Sequence, residues 1–323
     1  MIINLIKQTP FPSLTLAGLS AGEILEKKLN ANVVSSPVEA VSFGGVTCLL
    51  YDDIPLVTER TLAYLYRRCR KEKTGFRLGS GFISSDDYAQ KPKFFRSHEL
   101  TPLSLKNYPY LLRRIYASIL SYHQKNGVVF RSLNARVDYS VKICAGAVIG
   151  DNVTLEGDTF IGENVFVGDH SHIISSRIED GCKIYFSKIA DSIVHAHTEI
   201  GPFAYVRNGA NIGEHCRIGD FVEIKNSVLS DGVKAAHLTY IGDGEVGKHT
   251  NVGCGTVFCN YDGKTKRKVK VGENVFIGAN TNLVAPLEIG DHTFIAAGGT
   301  VTDSVPSSSF VIARSKQTTK KKK

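Results

Sequence analysis

The sequence predicts a mainly β fold, in which a parallel β-helix of hexapeptide repeats follows a small N-terminal α/β domain. Three observations predict it. Aliphatic residues recur every six positions in the series Ile149, Leu155, Ile161, Val167, Ile173, then Ile200, Val206, Ile212, Ile218, Ile224, then Val271, Ile277, Leu283, Ile289, Ile295, Val301. Glycine often follows the aliphatic residue, as in Ile149-Gly150, Ile161-Gly162, Val167-Gly168, Ile218-Gly219 and Ile277-Gly278. Residues 1–128 lack this period. A helix repeats every 3.6 residues and an isolated strand every 2, so neither demands a period of six. A solenoid does, because each hexapeptide supplies one short strand and one turn. Stacked coils about 4.8 Å apart then bury one another's apolar rows. Such a column exposes long flat faces and favours side-by-side association.

The N-terminal region, residues 1–128, reads as mixed α/β. Ser20-Ala-Gly-Glu23 has the form of a capping box ahead of Ile24, Leu25, Lys28 and Leu29. Val46–Tyr51 is a short β-prone run. Thr58 caps a helix carrying Leu62, Leu65, Tyr66 and Cys69 at helical spacing. A third helix fits Tyr108–Tyr122, with Leu111, Leu112, Ile115 and Ile119 on one face and Asn126-Gly127 as its stop. Gly75–Lys106 is polar and irregular and receives no assignment. The solenoid spans residues 129–314, and residues 315–323 form a basic, disordered tail.

Composition narrows the function. Of 323 residues, 42% are apolar and 22% charged, as in an ordinary globular protein. No apolar run approaches the roughly 20 residues of a membrane span. The start, MIINLIKQTPFPSL, lacks the basic and apolar segments of a signal peptide, so the expected location is cytoplasmic. Seven cysteines without a CxxC pair argue against a disulfide framework and a structural zinc site, and for small buried thiols. The net charge of +8 draws four charges from Lys320–Lys323, so it does not indicate a nucleic-acid partner. The cluster Lys264–Lys270 is different, because it interrupts the coil, and a basic loop on a rigid scaffold suits an anionic small molecule.

The period breaks twice. The first break, around Ser175–Thr198, contains His195 and His197. The second, Phe258–Lys270, is an inserted loop with Cys259-Asn260-Tyr261-Asp262-Gly263 followed by the basic cluster.

Four segments carry a family resemblance: Gly201-Pro-Phe-Ala-Tyr-Val-Arg207, Gly219-Asp-Phe-Val-Glu-Ile-Lys225, Ala236-His-Leu-Thr-Tyr-Ile-Gly-Asp243 and Cys259-Asn-Tyr-Asp-Gly263. Together they resemble the acetyltransferase half of the bacterial bifunctional N-acetylglucosamine-1-phosphate uridyltransferase / glucosamine-1-phosphate acetyltransferase, over the period-six part of the chain. The resemblance implies a left-handed β-helix, a homotrimer with sites between neighbouring columns, and acetyl-CoA as co-substrate, with no metal needed for acetyl transfer and no nucleic-acid or membrane partner. It implies that His237 is the catalytic base and that Arg207, Lys225, Tyr240, Asn251 and Lys266 hold the sugar phosphate. It also implies that Asn260 and Tyr261 lie beside the acetyl thioester, and that Cys254, Ala279, Ala297 and Arg314 line the coenzyme A channel. Cys254 stands where the family usually has alanine, and Ala279 where it often has serine.

The chemistry is consistent with these residue types. A sugar ammonium must lose a proton before it attacks a thioester, and histidine suits that task near neutral pH. Phosphate recognition needs fixed cations, arginine for bidentate contact and lysine as a point charge. The expected activity is N-acetylation of glucosamine 1-phosphate, or a close amino-sugar phosphate, in UDP-N-acetylglucosamine biosynthesis.

The N-terminal region departs from the family. Leu50–Leu62 resembles the strand and helix around the uridyltransferase's metal-binding aspartate, here Asp53, and Ala17–Leu29 resembles an early helix. The glycine-rich phosphate loop is absent, and the region is about half the usual length. Residues 1–128 are therefore expected to be a truncated nucleotidyltransferase-like domain without that activity, with Asp53 structural. Two competing readings follow from other features. One is a non-catalytic binding or regulatory paralogue that keeps the coil as a scaffold. The other is a metal hydratase of the carbonic anhydrase type, using His170/His172 and His195/His197 as pairs on one strand face.

Overall fold

In the computed structural model, each turn of the C-terminal coil is built from three short strands joined by tight corners. Residues 3–7, 15–29, 31–33, 48–51, 53–72, 74–79, 81–83, 93–94 and 97–321 are described. The chain divides into two units, Met1–Ile119 and Leu120–Lys323.

In the second unit, strands from successive coils pair in parallel into three sheets, of eleven, ten and nine strands among the described residues. The first sheet runs from Val129–Phe130 to Phe310–Val311, the second from Arg136–Val137 to Thr300–Val301, and the third from Lys142–Ile143 to Leu287–Ile289. Each six-residue aliphatic series becomes inward-pointing rows. Val206, Ile224 and Ile241 stack in register on the second sheet, all fully buried. On the same sheet, Thr154 pairs with His172 and then Lys188, and Val257 with Asn282. The step from Thr154 to His172 is three regular hexapeptides, that from His172 to Lys188 is shorter and that from Val257 to Asn282 is longer. The first break is therefore a shortened coil and the second an enlarged one. Cys182 and Cys216 are buried and Cys144 and Cys259 half-buried, whereas Cys254 is exposed, contrary to expectation. Burial pushes the Cys182 and Cys216 thiols up to about 11.

The corners need left-handed backbone, which Asn, Asp and His adopt most readily after glycine. At the corner between the first and second sheets, bulky apolar residues take that role instead. Phe186, Phe203, Phe221 and Leu238 all have φ between 41° and 59° and are 43–58% exposed. The rings of Phe186, Phe203 and Phe221 form a ladder with centroids 5.8 and 5.5 Å apart. A second ladder, Phe276, Phe294 and Phe310, stands on the outer surface of the first sheet.

The first unit contains a mixed sheet in the order β2-β1-β3-β5-β4-β6. These strands are β1 (Ile3–Ile6), β2 (Asn32–Val33), β3 (Cys48–Tyr51), β4 (Phe76–Leu78), β5 (Gly81–Ile83) and β6 (Lys93–Phe94). Helix α1 (Ala21–Lys28) begins at the capping box, with Ser20 Oγ accepting from Glu23 N. Helix α2 (Glu59–Glu72) begins at Thr58, whose hydroxyl accepts from Thr61 N, and helix α3 (Tyr108–Lys125) ends before Gly127 at φ 88°. The β-prone run starts at Cys48 in the structure; Val46 and Thr47 lie outside the described residues, as do Lys322 and Lys323 of the tail. The unassigned stretch Gly75–Lys106 holds β4 to β6, with Phe76, Leu78 and Ile83 buried. Asp53 is 9% exposed, and its carbonyl accepts from Leu103 N at 2.6 Å. No helix among the described residues is long and apolar enough to cross a membrane.

Ile224→Ala removes a side chain fully enclosed between Val206 and Ile241. The expected cost is about 2–5 kcal/mol, read as a lower denaturant midpoint of the coil. Lys188→Ala, on the outer surface, should leave the midpoint nearly unchanged.

Candidate active site

Two edges of the second sheet gather most of the candidate residues. Where the first sheet turns the corner into the second lies His237, at the end of the first-sheet strand Lys234–His237. Its ladder partner one coil earlier is Asp220, at the end of Arg217–Asp220. The two side chains meet with His237 Nδ1 2.5 Å from Asp220 Oδ1. The bond from His237 holds the Asp220 carboxyl below its ordinary value. The His237 side chain is 58% exposed, and the bond to Asp220 uses only Nδ1. Sequence reasoning missed Asp220. The signal was its place one coil before His237, second in the Gly219–Lys225 segment.

The same row continues past His237. Ala235 pairs with Val252, Val252 with Ile277 and Ile277 with Ile295. Two residues further along each strand, His237, Cys254, Ala279 and Ala297 therefore follow one another on successive coils. Cys254 and Ala297 are exposed and Ala279 is half-buried. All three side chains are small, so none projects far from the edge. Arg314 lies near its end, where a Cβ on Gly298 would come within 3.7 Å of Arg314 Cδ.

The opposite edge, toward the third sheet, gathers cations. Arg207 and Lys225 are ladder partners. Arg207 donates from Nε and Nη2 to Glu223 Oε1 at 2.9 and 2.6 Å. The Lys266 ammonium, reinforced by partial desolvation and by Arg207, holds Lys225 below the usual lysine value. Three cations thus converge on one edge, an arrangement that favours an anion between them. Tyr240 reaches toward this edge: a Cβ on Gly242 would lie 2.3 Å from the Tyr240 hydroxyl and 2.8 Å from Asn260 Nδ2. Only glycine leaves room for both. Asn260 is buried and donates to Asp243 Oδ2, while Asp243 Oδ1 accepts from Asn226 at 2.5 Å.

Lys266 is carried by a hairpin in which Tyr261 bridges to Lys266. Asp262 ties its turn by accepting from Lys264 N, Thr265 N and Thr265 Oγ1 at 2.7–2.9 Å. These bonds lower its carboxyl to about 2. The basic cluster divides here. Lys264, Lys266 and Arg267 belong to the hairpin, whereas Lys268 and Lys270 pair with Glu245 and Glu288 on the third sheet.

Other candidates stand apart. Asn251 lies on the first sheet between Lys234 and Phe276. Within one chain it is not with Arg207 and Lys225, and the Asn260-Tyr261 corner is not beside the Cys254 row. The histidine pairs do not share strand faces, which corrects the hydratase reading. His170 and His197 occupy left-handed corners outside the strands, with φ 57° and 59°. His172 bonds Glu156, His195 bonds both Glu179 and Asn211, and His197 stacks on His215. A depression of about 750 Å³ on the third sheet, lined by Val228, Glu245, Lys270 and Glu288, contains none of the candidate residues.

Fold and repeats define the class. Residues 191–226 and 268–303 match the family described as bacterial transferase hexapeptide (six repeats). The chain is 46% identical over 200 residues to the bifunctional protein GlmU of Clostridium kluyveri, covering 62% of this chain and 44% of that protein. The GlmU of Staphylococcus haemolyticus is 46% identical over 199 residues, covering 61% and 44%. A solved UDP-N-acetylglucosamine acyltransferase from Campylobacter jejuni aligns at 16% identity and a TM-score of 0.38, covering 52% of this chain and 67% of that one. Over about 62% of its length the chain, built of hexapeptide repeats, is similar to GlmU proteins, and it spans less than half of these curated relatives.

Asp262→Ala removes the three bonds that tie the hairpin turn. Trypsin should then cut at Lys264, Lys266 or Arg267 several-fold faster, while the coil melts at an unchanged temperature.

Proposed function

We propose that the coil, residues 129–314, catalyses acetyl-CoA-dependent N-acetylation of glucosamine 1-phosphate or a close amino-sugar phosphate. The observation that carries this reading is the convergence of Arg207, Lys225 and Lys266 with Tyr240 on one edge. A phosphate dianion there relieves the repulsion between the lysines and competes with Glu223 for the Arg207 fork. The row of small, partly exposed side chains after His237 supports the coenzyme A role of Cys254, Ala279 and Ala297. Asn260 and Tyr261 are assigned to the acetyl end of the thioester.

His237 takes the proton of the acceptor's ammonium group. The freed amine attacks the acetyl carbonyl carbon, forming the C–N bond, and the carbon–sulfur bond then breaks. The nitrogen loses its second proton as the amide forms, the coenzyme A thiolate leaves and takes up one proton to become the thiol, and the other proton passes from the base to water. Backbone N–H groups at the irregular Asn260–Arg267 insertion are candidate donors to the developing oxyanion. Nucleotidyl transfer is assigned no site in the first unit, and Asp53 is assigned a structural role there.

Within one chain, His237 and Gly242, the ladder partner of Lys225, sit at opposite ends of one strand-and-corner segment. The backbone between them turns the left-handed corner at Leu238, so the two ends lie on different sheets. The base of one copy is assigned to serve the cation cluster of another, in keeping with the homotrimer that the resemblance implies. The apolar ladder Phe186, Phe203, Phe221 beside the base is a suitable contact between copies.

Acetylated product should be detectable by mass spectrometry with acetyl-CoA and glucosamine 1-phosphate. His237→Ala should lower kcat by about 10²–10⁴. Lys225→Ala should raise KM for the sugar phosphate by about tenfold or more, the loss of one charge-assisted bond. Subunits of the two variants, mixed and reassembled, should regain part of the activity. Full activity in His237→Ala would refute the assignment of the base, and no recovery on mixing would refute the shared site.

A further inference from the structure

The strands carrying Asp220 and His237 are unusual for their sheet. Arg217–Asp220 and Lys234–His237 each run four residues, whereas the neighbouring Glu199–Ile200 and Asn251–Val252 run two. The added length carries ladder pairing into the corner, so that Asp220 faces His237 in register. Gly219 makes this possible: a Cβ there would sit 1.8 Å from Ala236 O, inside the backbone of the next coil. The corner is held again by Leu238 N donating to Asp220 O at 2.9 Å. Local backbone, glycine placement and side-chain contact thus converge on one carboxylate–imidazole pair. A carboxylate that backs a histidine selects the Nδ1–H tautomer, frees Nε2 to accept a proton, and stabilises the imidazolium that results.

We propose that Asp220 is the positioning residue of the base, fixing His237 as the Nδ1–H tautomer with Nε2 turned toward the acceptor amine. This rests on the reading of His237 as base. In the transfer step, Nε2 gains the amine's proton while the Nδ1–H bond to Asp220 stays in place, and Asp220 remains ionised throughout. The groups facing His237 along its row are Asp220 on the preceding coil and Cys254 on the following one, with Arg217 and Lys234 further back on the two strands. The hydrogen bond from His237 is the main cause of the lowered Asp220 carboxyl.

The test compares wild type, Asp220→Asn, Asp220→Ala and His237→Ala in the acetyl-transfer assay across pH. Asp220→Asn should lower kcat by about 10- to 100-fold, a fraction of what general-base catalysis supplies, with KM for acetyl-CoA within twofold. Its acid limb should move to lower pH, because loss of the carboxylate makes the imidazolium easier to deprotonate. Asp220→Ala should be no better. Nitrogen-15 NMR of histidine-labelled wild-type protein, with the His237 signals identified by their absence in His237→Ala, should report Nδ1–H, and Asp220→Asn should yield a mixture. Wild-type kcat and an unmoved pH profile in Asp220→Asn, with His237→Ala inactive, would overturn the positioning role and leave the base intact. A dominant Nε2–H tautomer in wild type would do the same without any activity measurement. An active His237→Ala would remove the base and this proposal with it.

Discussion

Everything in the second unit depends on parallel ladder register between stacked coils. Each strand bonds only to its counterparts one coil above and one below, so a residue's place along the strand fixes the vertical row it joins. Rows of Val, Ile and Leu become the core, as with Val206, Ile224 and Ile241. Rows at the edges gather the candidate site residues. Asp220, His237, Cys254, Ala279 and Ala297 share one edge row although they are scattered over five coils of sequence. Arg207, Lys225 and Gly242 share another. No loop has to fold back to assemble either row.

The same constraint explains what was legible from residues alone. A period of six is visible because burial imposes it at every coil, and capping chemistry at Ser20 and Thr58 is visible because it is local. Handedness is not legible, since both hands satisfy the period. The hairpin of Phe76–Leu78 with Gly81–Ile83 was unreadable because its strands are very short and flanked by polar sequence. Asp220 was passed over for a different reason. Its partner is one coil away, and nothing local distinguishes it from the other acidic corner residues until the register is known.

Cys254 and the basic cluster show where composition misleads. A cysteine in a reducing context reads as a small buried thiol, yet Cys254 falls in an edge row and is exposed. The run Lys264–Lys270 reads as one cationic loop, yet strand alternation returns Lys268 and Lys270 to acidic partners on the third sheet. Of the three cations left on the hairpin, Arg267 pairs with Asp262 and Lys266 approaches Lys225, holding that ammonium below the usual lysine value.

A structure determined with acetyl-CoA tests the central claim, that edge rows set by coil register form the site, most directly. The account predicts the pantetheine chain lying along Cys254, Ala279 and Ala297, with the thioester at His237 and the nucleotide end toward Arg314. Coenzyme A bound instead in the depression lined by Val228, Glu245, Lys270 and Glu288 would contradict it.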